Sequence, residues 1–354
     1  MCACMLNDYL KRTYGRKLYK ISIDAGFTCP NRDGTCGYGG CIFCSEGGSG
    51  DFAERAKTIV GCGRVTGGSA GAVIGNGIDA GWKADIGVNT DIADKTYAGE
   101  WKTKGWLDEA IASGKKRVEA KFHPQYPGAN YIAYFQAFTN TYAPVYELRQ
   151  IYEPVIENPD IAILSIATRP DCVESDVIEL LRRLNEKKPV WVELGLQTIH
   201  EKTAEFINRG YRTSKYDEAV RRLSEAGINV VTHVILGLPG ESREDMLKTV
   251  MHVSKMRSWG IKLQMLHILK GTKLAQIYEK DPFPVFTLEE YAELISEILK
   301  ILPEDMVIHR LTGDGPKKLL IAPEWSADKK RVLNALQSLP EMANVRSGNF
   351  LDKL

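Results

Sequence analysis

Seven of the eight cysteines lie in the first 62 residues: Cys2, Cys4, Cys29, Cys36, Cys41, Cys44 and Cys62. The dense part reads Cys29-Pro-Asn-Arg-Asp-Gly-Thr-Cys36-Gly-Tyr-Gly-Gly-Cys41-Ile-Phe-Cys44. Cys41 and Cys44 form a CxxC, a spacing that lets two thiolates reach one metal ion or one cluster. Cys29 lies upstream across a loop whose Gly34, Gly37, Gly39 and Gly40 let the backbone fold closely around a bulky inorganic group. Two ligand sets fit this stretch. Four thiolates, with Cys36 included, would close a structural zinc site or saturate an iron–sulfur cluster. Three, from Cys29, Cys41 and Cys44, would leave one iron of a [4Fe–4S] cluster open. A disulfide framework fits less well, because the chain is long and its first residues show no export signal. Cys2, Cys4 and Cys62 read as free thiols, and Cys36 as a spectator; Cys172 lies apart from the cluster.

The elements that must position this loop follow from the rest of the chain. Its 354 residues balance 46 basic against 45 acidic side chains, a formal net charge of +1. Bulk electrostatic attraction to nucleic acid or an anionic membrane is thereby excluded as the dominant signal, although a local basic patch is not. Hydrophobic residues make up 44% and charged residues 26%, which suits a globular chain with a sizeable core. No apolar run is long enough to span a membrane, and a cytoplasmic enzyme is expected.

β-rich runs at residues 19–27, 131–138, 161–169, 190–198, 229–238, 260–269 and 307–313 alternate with helical patterns. From Tyr131 on, successive starts lie 30, 29, 39 and 31 residues apart. That period suits (β/α) units of a barrel, and near-continuous apolar runs suit parallel strands covered on both faces. Ser242 opens one helix as a capping-box-like start, and Ser214 precedes another whose Ala219, Val220, Leu223 and Ala226 share a face. The expected fold is α/β, a partial to full (β/α) TIM-like barrel of parallel strands with the cysteine loop after the first strand. Function then sits on loops at the C-terminal ends of the strands.

These residues match a known family. The Cys-x11-Cys-x-Phe-Cys pattern after a first strand resembles the radical S-adenosylmethionine (SAM) enzymes. More narrowly, DAGFTCPNRDG, GGCIFC, YFQAFTNTYAP, IATRPDC, WVELGLQT, INRG, HVILGLPGE, KGT and IHRLTGD resemble the YhcC/YtqA group, in the branch that includes the catalytic subunit of Elongator. The resemblance runs from about Tyr14 to Leu336. It implies that Cys29, Cys41 and Cys44 hold three irons of a [4Fe–4S] cluster and that SAM chelates the fourth. Reductive cleavage of SAM then yields a 5′-deoxyadenosyl radical that abstracts a substrate hydrogen. Phe43 matches the aromatic that packs near adenine. Gln136, Thr139 and Asn140 stand, by position only, where relatives carry a Gly-Gly-Glu that this chain lacks. Arg169, Glu193 and Gln197 lie near the ends of later strands, within reach of ribose or carboxylate. Gly237 matches a turn that lets backbone approach the base. His233, His267 and His309 read as satisfied barrel histidines, and His309, Arg310 and Asp314 are also candidates for later proton transfers.

The resemblance also supplies a substrate class: transfer RNA, with conversion of a carboxymethylaminomethyl side chain at a wobble uridine to aminomethyl. A flavodoxin or ferredoxin would supply electrons. Other readings are a radical SAM enzyme acting on a small metabolite or a protein, and a zinc-stabilised binding protein without chemistry. Lys11, Arg12, Arg16, Lys17 and Lys20, and separately Lys115, Lys116 and Arg117, are the cations that could meet phosphates. The expected organisation is an N-terminal basic segment (1–18), the barrel (19–313) and a C-terminal helical extension (314–354). A glycine-rich stretch at about 61–106, without period 2 or 3.6, interrupts the barrel before a helix at 107–122.

Overall fold

The computed structural model describes residues 3–48, 53–55, 103–122, 130–313 and 315–347. Most of the glycine-rich stretch, together with Cys2, Cys62 and Asp314, lies outside the described residues. The first half of the chain runs β1 (Cys4–Met5), α1 (Leu6–Tyr14), β2 (Tyr19–Asp24), β3 (Glu54–Arg55), α2 (Thr103–Phe122), β4 (Tyr131–Phe135), α3 (Val145–Glu157), β5 (Ile161–Thr168) and α4 (Ser175–Asn185). It continues with β6 (Val190–Gln197), α5 (Glu201–Phe206), α6 (Thr213–Glu225), β7 (Asn229–Leu236), α7 (Arg243–Lys255), β8 (Gly260–Met265) and β9 (Ile268–Leu269). Last come α8 (Lys273–Lys280), α9 (Leu288–Ile301), β10 (Val307–Arg310), β11 (Leu320–Ala322), α10 (Lys329–Gln337) and α11 (Pro340–Ser347).

Nine strands form one parallel sheet in the order β1-β10-β8-β7-β6-β5-β4-β2-β3, and β9 pairs antiparallel with β11. All seven expected strands start where the pattern placed them, but most end early. Four of the ends share a feature. Gln197, the last paired residue of β6, and Gly26, Phe138 and Gly237, just past the ends of β2, β4 and β7, adopt positive φ (67°, 77°, 57° and 87°), which turns the chain out of the sheet there. Of the two helix starts, one holds and one shifts. Ser242 caps α7 in a reciprocal capping box with Asp245, whereas α6 begins at Thr213, so Ser214 lies inside its first turn.

Residues alternate between two faces along each strand. On β6, Val190, Val192, Leu194 and Leu196 join the large core shared with the outer helices, while Trp191 and Glu193 point the other way. The inner face is strongly curled. Lys262 on β8 donates to the Tyr134 hydroxyl on β4 at 3.0 Å. In a flat sheet, strands four places apart would be separated by about 19 Å. The sheet is therefore a partial barrel, and its edges β1 and β3 do not pair with each other.

The inside of this barrel is layered. At the N-terminal end of the strands, Leu6 and Leu10 of α1 and Leu18 pack with Ile132, Ile163, Trp191 and Val307 as an apolar plug. The N-terminal segment thus supplies both the edge strand β1 and the plug, while its Lys11 and Arg12 face solvent. Above the plug lies a charged layer. The fully buried carboxylate of Glu193 accepts from Lys20 (3.3 Å), Ser165 (2.8 Å) and His233 Nε2 (2.7 Å), and pairs with Lys262. Burial would raise the Glu193 carboxyl, but Lys20, Lys262 and His233 more than reverse this and hold it well below the usual range.

His233 shows the opposite balance. Burial, followed by Lys262, depresses its imidazole to about 4 despite the Glu193 hydrogen bond, with Arg310 acting the same way as Lys262. An unfolded chain would protonate this side chain near the ordinary histidine value, roughly 6.5. Between those values the unfolded state binds more protons, so stability falls as pH drops from about 6.5 towards 4, by roughly 3 kcal/mol at most. Denaturant midpoints measured across that window should show the loss, and His233→Gln, which keeps a donor for Glu193, should flatten the profile.

Candidate functional site

The cysteine loop follows β2 at the C-terminal mouth of the barrel, and backbone hydrogen bonds hold it there. Ile42 N–H donates to the Ile207 carbonyl (3.0 Å), Leu274 N–H to the Ile42 carbonyl (2.9 Å), and Thr139 N–H to the Thr28 carbonyl (3.2 Å). Within the loop, Arg32 N–H donates to the Cys29 carbonyl (2.8 Å) and Cys44 N–H to the Cys41 carbonyl (3.0 Å), which wraps the chain back over its own thiols. Cys29, Cys41 and Cys44 are half-buried. The Cys44 thiol is held below its ordinary value, first by a hydrogen bond from Cys41 and, against burial, by the Arg32 guanidinium. Cys41 is raised by that same hydrogen bond and by burial, with Arg169 opposing. Two arginines thus flank the thiols, an environment that favours thiolate and an anionic group bound to it.

Cys36 is exposed. Among the described residues, no three His, Cys, Asp or Glu side chains converge on a single-ion site. Cys172 lies near Cys29, and burial, then Asp171, pushes its thiol up, which disfavours its thiolate.

Other residues singled out in the sequence occupy different places. Phe43 packs with Ile42, Ile207, Ile235, Leu238 and Leu266 at the mouth. Gln136 and Thr139 lie on the loop after β4, Gln136 donating its N–H to the Ile23 carbonyl (3.4 Å) and Thr139 being buried. Asn140 is fully buried, its Nδ2 donating to the Ala137 and Ala167 carbonyls (3.0 and 2.8 Å), so it joins the β4 and β5 loops. Arg169 grips Asp171 with two nitrogens (2.9 and 2.7 Å), donates to the Arg209 carbonyl (2.9 Å) and lies over the Tyr211 ring. Gln197 ends β6 after a register shift, on a positive φ. Gly237 has Phe286 against it, so a Cβ there would come within 3.0 Å of the ring.

Two sequence expectations need correcting. Glu193 stands in the middle of β6, not near its end, and is enclosed by Lys20, Lys262, His233 and Ser165. His309 is not a satisfied histidine. Its two ring nitrogens are buried without hydrogen-bond partners, and its ring is set edge-on against Trp191 and Trp259 at the plugged end, away from the mouth. His233 is satisfied, by Glu193 and by Gln264 (3.2 Å).

Sequence reasoning missed the anchor beneath the loop. Asn31 Nδ2 donates to the Asn208 carbonyl (2.6 Å) and Asn208 Nδ2 to the Gly40 carbonyl (2.8 Å). Arg209, 1% exposed, donates to the Leu196, Thr198 and Tyr211 carbonyls. The signal was slight: an arginine in an Asn-Arg-Gly turn can gather several carbonyls with its five N–H groups, and Arg209 does so while also pairing with Glu201 (3.6 Å).

Comparison with known proteins agrees with this geometry. Residues 116–253 match the radical SAM superfamily and residues 258–341 the radical SAM C-terminal domain. The chain is 39% identical over 349 residues to the uncharacterized protein YtqA of Bacillus subtilis, covering 99% of this chain and 92% of that one. It is 31% identical over 326 residues to protein YhcC of Escherichia coli, covering 92% and 88%. Over 162 residues, 45% of this chain and 29% of the other, it is 28% identical to a tRNA uridine(34) acetyltransferase of Methanocaldococcus jannaschii. In fold it is similar to the archaeal Methanocaldococcus infernus Elp3 with an N-terminal deletion, at a TM-score of 0.55 and 19% identity, covering 65% of this chain and 58% of that one. A non-catalytic zinc protein is incompatible with these matches: the chain belongs to the YhcC/YtqA group of the radical SAM superfamily and is a radical SAM enzyme.

Proposed function

We propose that this enzyme modifies the side chain of a wobble uridine in transfer RNA, converting carboxymethylaminomethyl to aminomethyl. The observation that carries the reading is the 28% identity to a tRNA uridine(34) acetyltransferase over 162 residues. A cluster fits the residues present. Three half-buried thiols sit on one loop between Arg32 and Arg169, while the remaining thiol of that loop, Cys36, is exposed. Cys29, Cys41 and Cys44 would hold the cluster, with Phe43 and Gly237 beside the base of SAM and Gln136, Thr139 and Gln197 lining the mouth. When bound, the cluster and SAM supply a carbon radical able to take a hydrogen atom from a C–H bond.

The substrate balance is a two-electron oxidation. One hydrogen atom and then one electron leave the N–CH2 unit, the electron passing to an acceptor of the flavodoxin or ferredoxin class. Water adds across the resulting C=N bond, and the C–N bond breaks to give the amine and glyoxylate. The protein's share is to position the side chain and keep stray water away until the oxidation is complete.

The cations that would meet RNA are not those the sequence suggested. Lys20 points inward to Glu193, Lys115 pairs with Asp160 just before β5, and Lys17 lies over Tyr19 and Phe122. All lie towards the N-terminal ends of the strands. At the mouth, Lys270, Lys317 and Lys318 are exposed beside the β9–β11 ribbon and Lys273 is exposed at the start of α8; the ribbon is extended where Lys270 N–H donates to the Leu319 carbonyl (2.7 Å). Residues 268–276 and 315–322, which carry these lysines, contain no carboxylate. The same segment supplies Leu274, whose N–H reaches the Ile42 carbonyl of the cysteine loop. Tyr38, 80% exposed on that loop, offers a ring face for an unstacked base.

Three outcomes are expected. After anaerobic reconstitution, serine at Cys29, Cys41 or Cys44 should abolish the iron chromophore, whereas Cys36→Ser and Cys172→Ser should retain it; retention by any of the first three refutes this ligand set. Mass spectrometry of transfer RNA nucleosides from a strain lacking the gene should show carboxymethylaminomethyl uridine accumulating at the expense of the aminomethyl form. Unaltered nucleosides would refute the tRNA reading. Replacing the four mouth lysines by glutamine should reduce the slope of log affinity for tRNA against log salt by about 3, while Lys116→Gln with Arg117→Gln should leave the slope unchanged.

A further inference from the structure

The anchor under the cysteine loop contains an asparagine whose hydrogen bonding is incomplete. Asn31 is 1% exposed, two residues beyond Cys29. Its Nδ2 has two neighbours: the Asn208 carbonyl at 2.6 Å and Cys41 Sγ at 3.9 Å. A primary amide has two N–H groups, so one can serve each neighbour. Its backbone carbonyl accepts from Gly40 N–H at 2.8 Å, which links it to the residue before Cys41. Its Oδ1 is buried with no hydrogen-bond partner.

A buried orphan oxygen has a cost that surrounding structure must justify. Two glycines make room for it. A Cβ at Gly37 would lie 2.6 Å from Asn31 Oδ1, and one at Gly210 would lie 2.9 Å from it. Gly210 also has a φ of +81°, which other residues rarely adopt. The glycines leave room for the oxygen, and the Asn208 carbonyl, which can accept only from the amide nitrogen, turns that nitrogen rather than the oxygen towards the sulfur. Arg169 reinforces the arrangement from the β5 loop, because it donates to the Arg209 carbonyl between Asn208 and Gly210.

We propose that Asn31 is a positioning residue for the cluster, its amide donating to the Cys41 sulfur while it fixes the loop to the residue 207–210 turn. The proposal rests on the reading of Cys29, Cys41 and Cys44 as the cluster ligands. An N–H facing a ligating sulfur withdraws electron density and makes the cluster easier to reduce, a recognised control on iron–sulfur potentials. Asn31 therefore affects two separable properties. One is how firmly the loop holds iron; the other is the potential at which the cluster accepts an electron.

Asn31→Ala and Asn208→Gly separate them. Asn208→Gly removes the side-chain bond to Gly40 without straining its positive φ, and it leaves the backbone carbonyl that orients Asn31. Both variants and the unaltered chain are reconstituted anaerobically. Iron and sulfide per chain, the rate of iron loss to a chelator and the midpoint potential are then measured, with circular dichroism to confirm folding. Both variants are expected to lose iron several-fold faster than the unaltered chain. Only Asn31→Ala is expected to move the midpoint to a more negative value. An unchanged midpoint in a folded, iron-loaded Asn31→Ala variant overturns the proposal, as does an equal shift in Asn208→Gly. If Asn31→Ala does not fold, Gly210→Ala, which pushes Oδ1 aside, must shift the midpoint in the same direction or the proposal fails. Failure of the unaltered chain itself to load a four-iron cluster counts instead against the ligand reading.

Discussion

One carboxylate sets the internal architecture. A fully buried, ionised Glu193 is tolerable only if donors replace the water it has lost, since removing an ion from water costs several kcal/mol even in a relaxed protein interior. The donors come from four other strands: Lys20 from β2, Ser165 from β5, His233 from β7 and Lys262 from β8. They can meet only if the sheet curls, and the Lys262–Tyr134 contact extends the same closure to β4. The hub and the α1 plug fill the lower barrel with side chains, so a ligand entering the barrel is confined to the space above them. This places chemistry at the C-terminal mouth for a physical reason particular to this chain as well as the general one for parallel barrels.

The two ends of the barrel are built by different means. The closed end uses side chains: His309 edge-on to Trp191 and Trp259, which pack at a tilt against each other, with α1 residues beneath. The mouth uses hydrogen bonds that end on backbone groups, some from peptide N–H and some from the Asn31, Asn208 and Arg209 side chains. The cysteine loop is anchored through peptide groups of Thr28, Asn31, Gly40 and Ile42. Much of the anchoring thus rests on peptide groups rather than on the thiols themselves. A bulky group can therefore be added at the thiols without breaking the bonds that position them.

Much of this was legible in the sequence. Alternation, spacing and helix caps located seven strands by their first residue, because those signals are local. Strand ends were harder, since a positive φ at Phe138 or Gln197 is imposed by the tertiary turn and carries no glycine to announce it. The short strands β1, β3 and β11 are too brief for any periodicity. Among the site residues, the cysteine spacing is a sequence-local signal and could be read directly. Glu193 was misplaced for the opposite reason: its partners lie as far as 173 residues away in sequence, so nothing near it signals an ion cluster. Lys20, Glu193, His233 and Lys262 each interrupt an apolar run on the inner-facing phase, and that shared phase is a clue that single runs read in isolation conceal.

Distance decides which cations matter for a polyanionic substrate. An eight-residue strand such as β6 is about 26 Å long, whereas charges in physiological salt are screened within about 8 Å. Basic residues at the plugged end are thus some three screening lengths from a phosphate lying over the cysteine loop, and they contribute little there whatever their number. The lysines of the β9–β11 ribbon stand on the same segment that touches Ile42, with no carboxylate in the stretches that carry them. A nearly neutral chain can in this way hold a local positive field at its mouth while its total charge gives no hint of it.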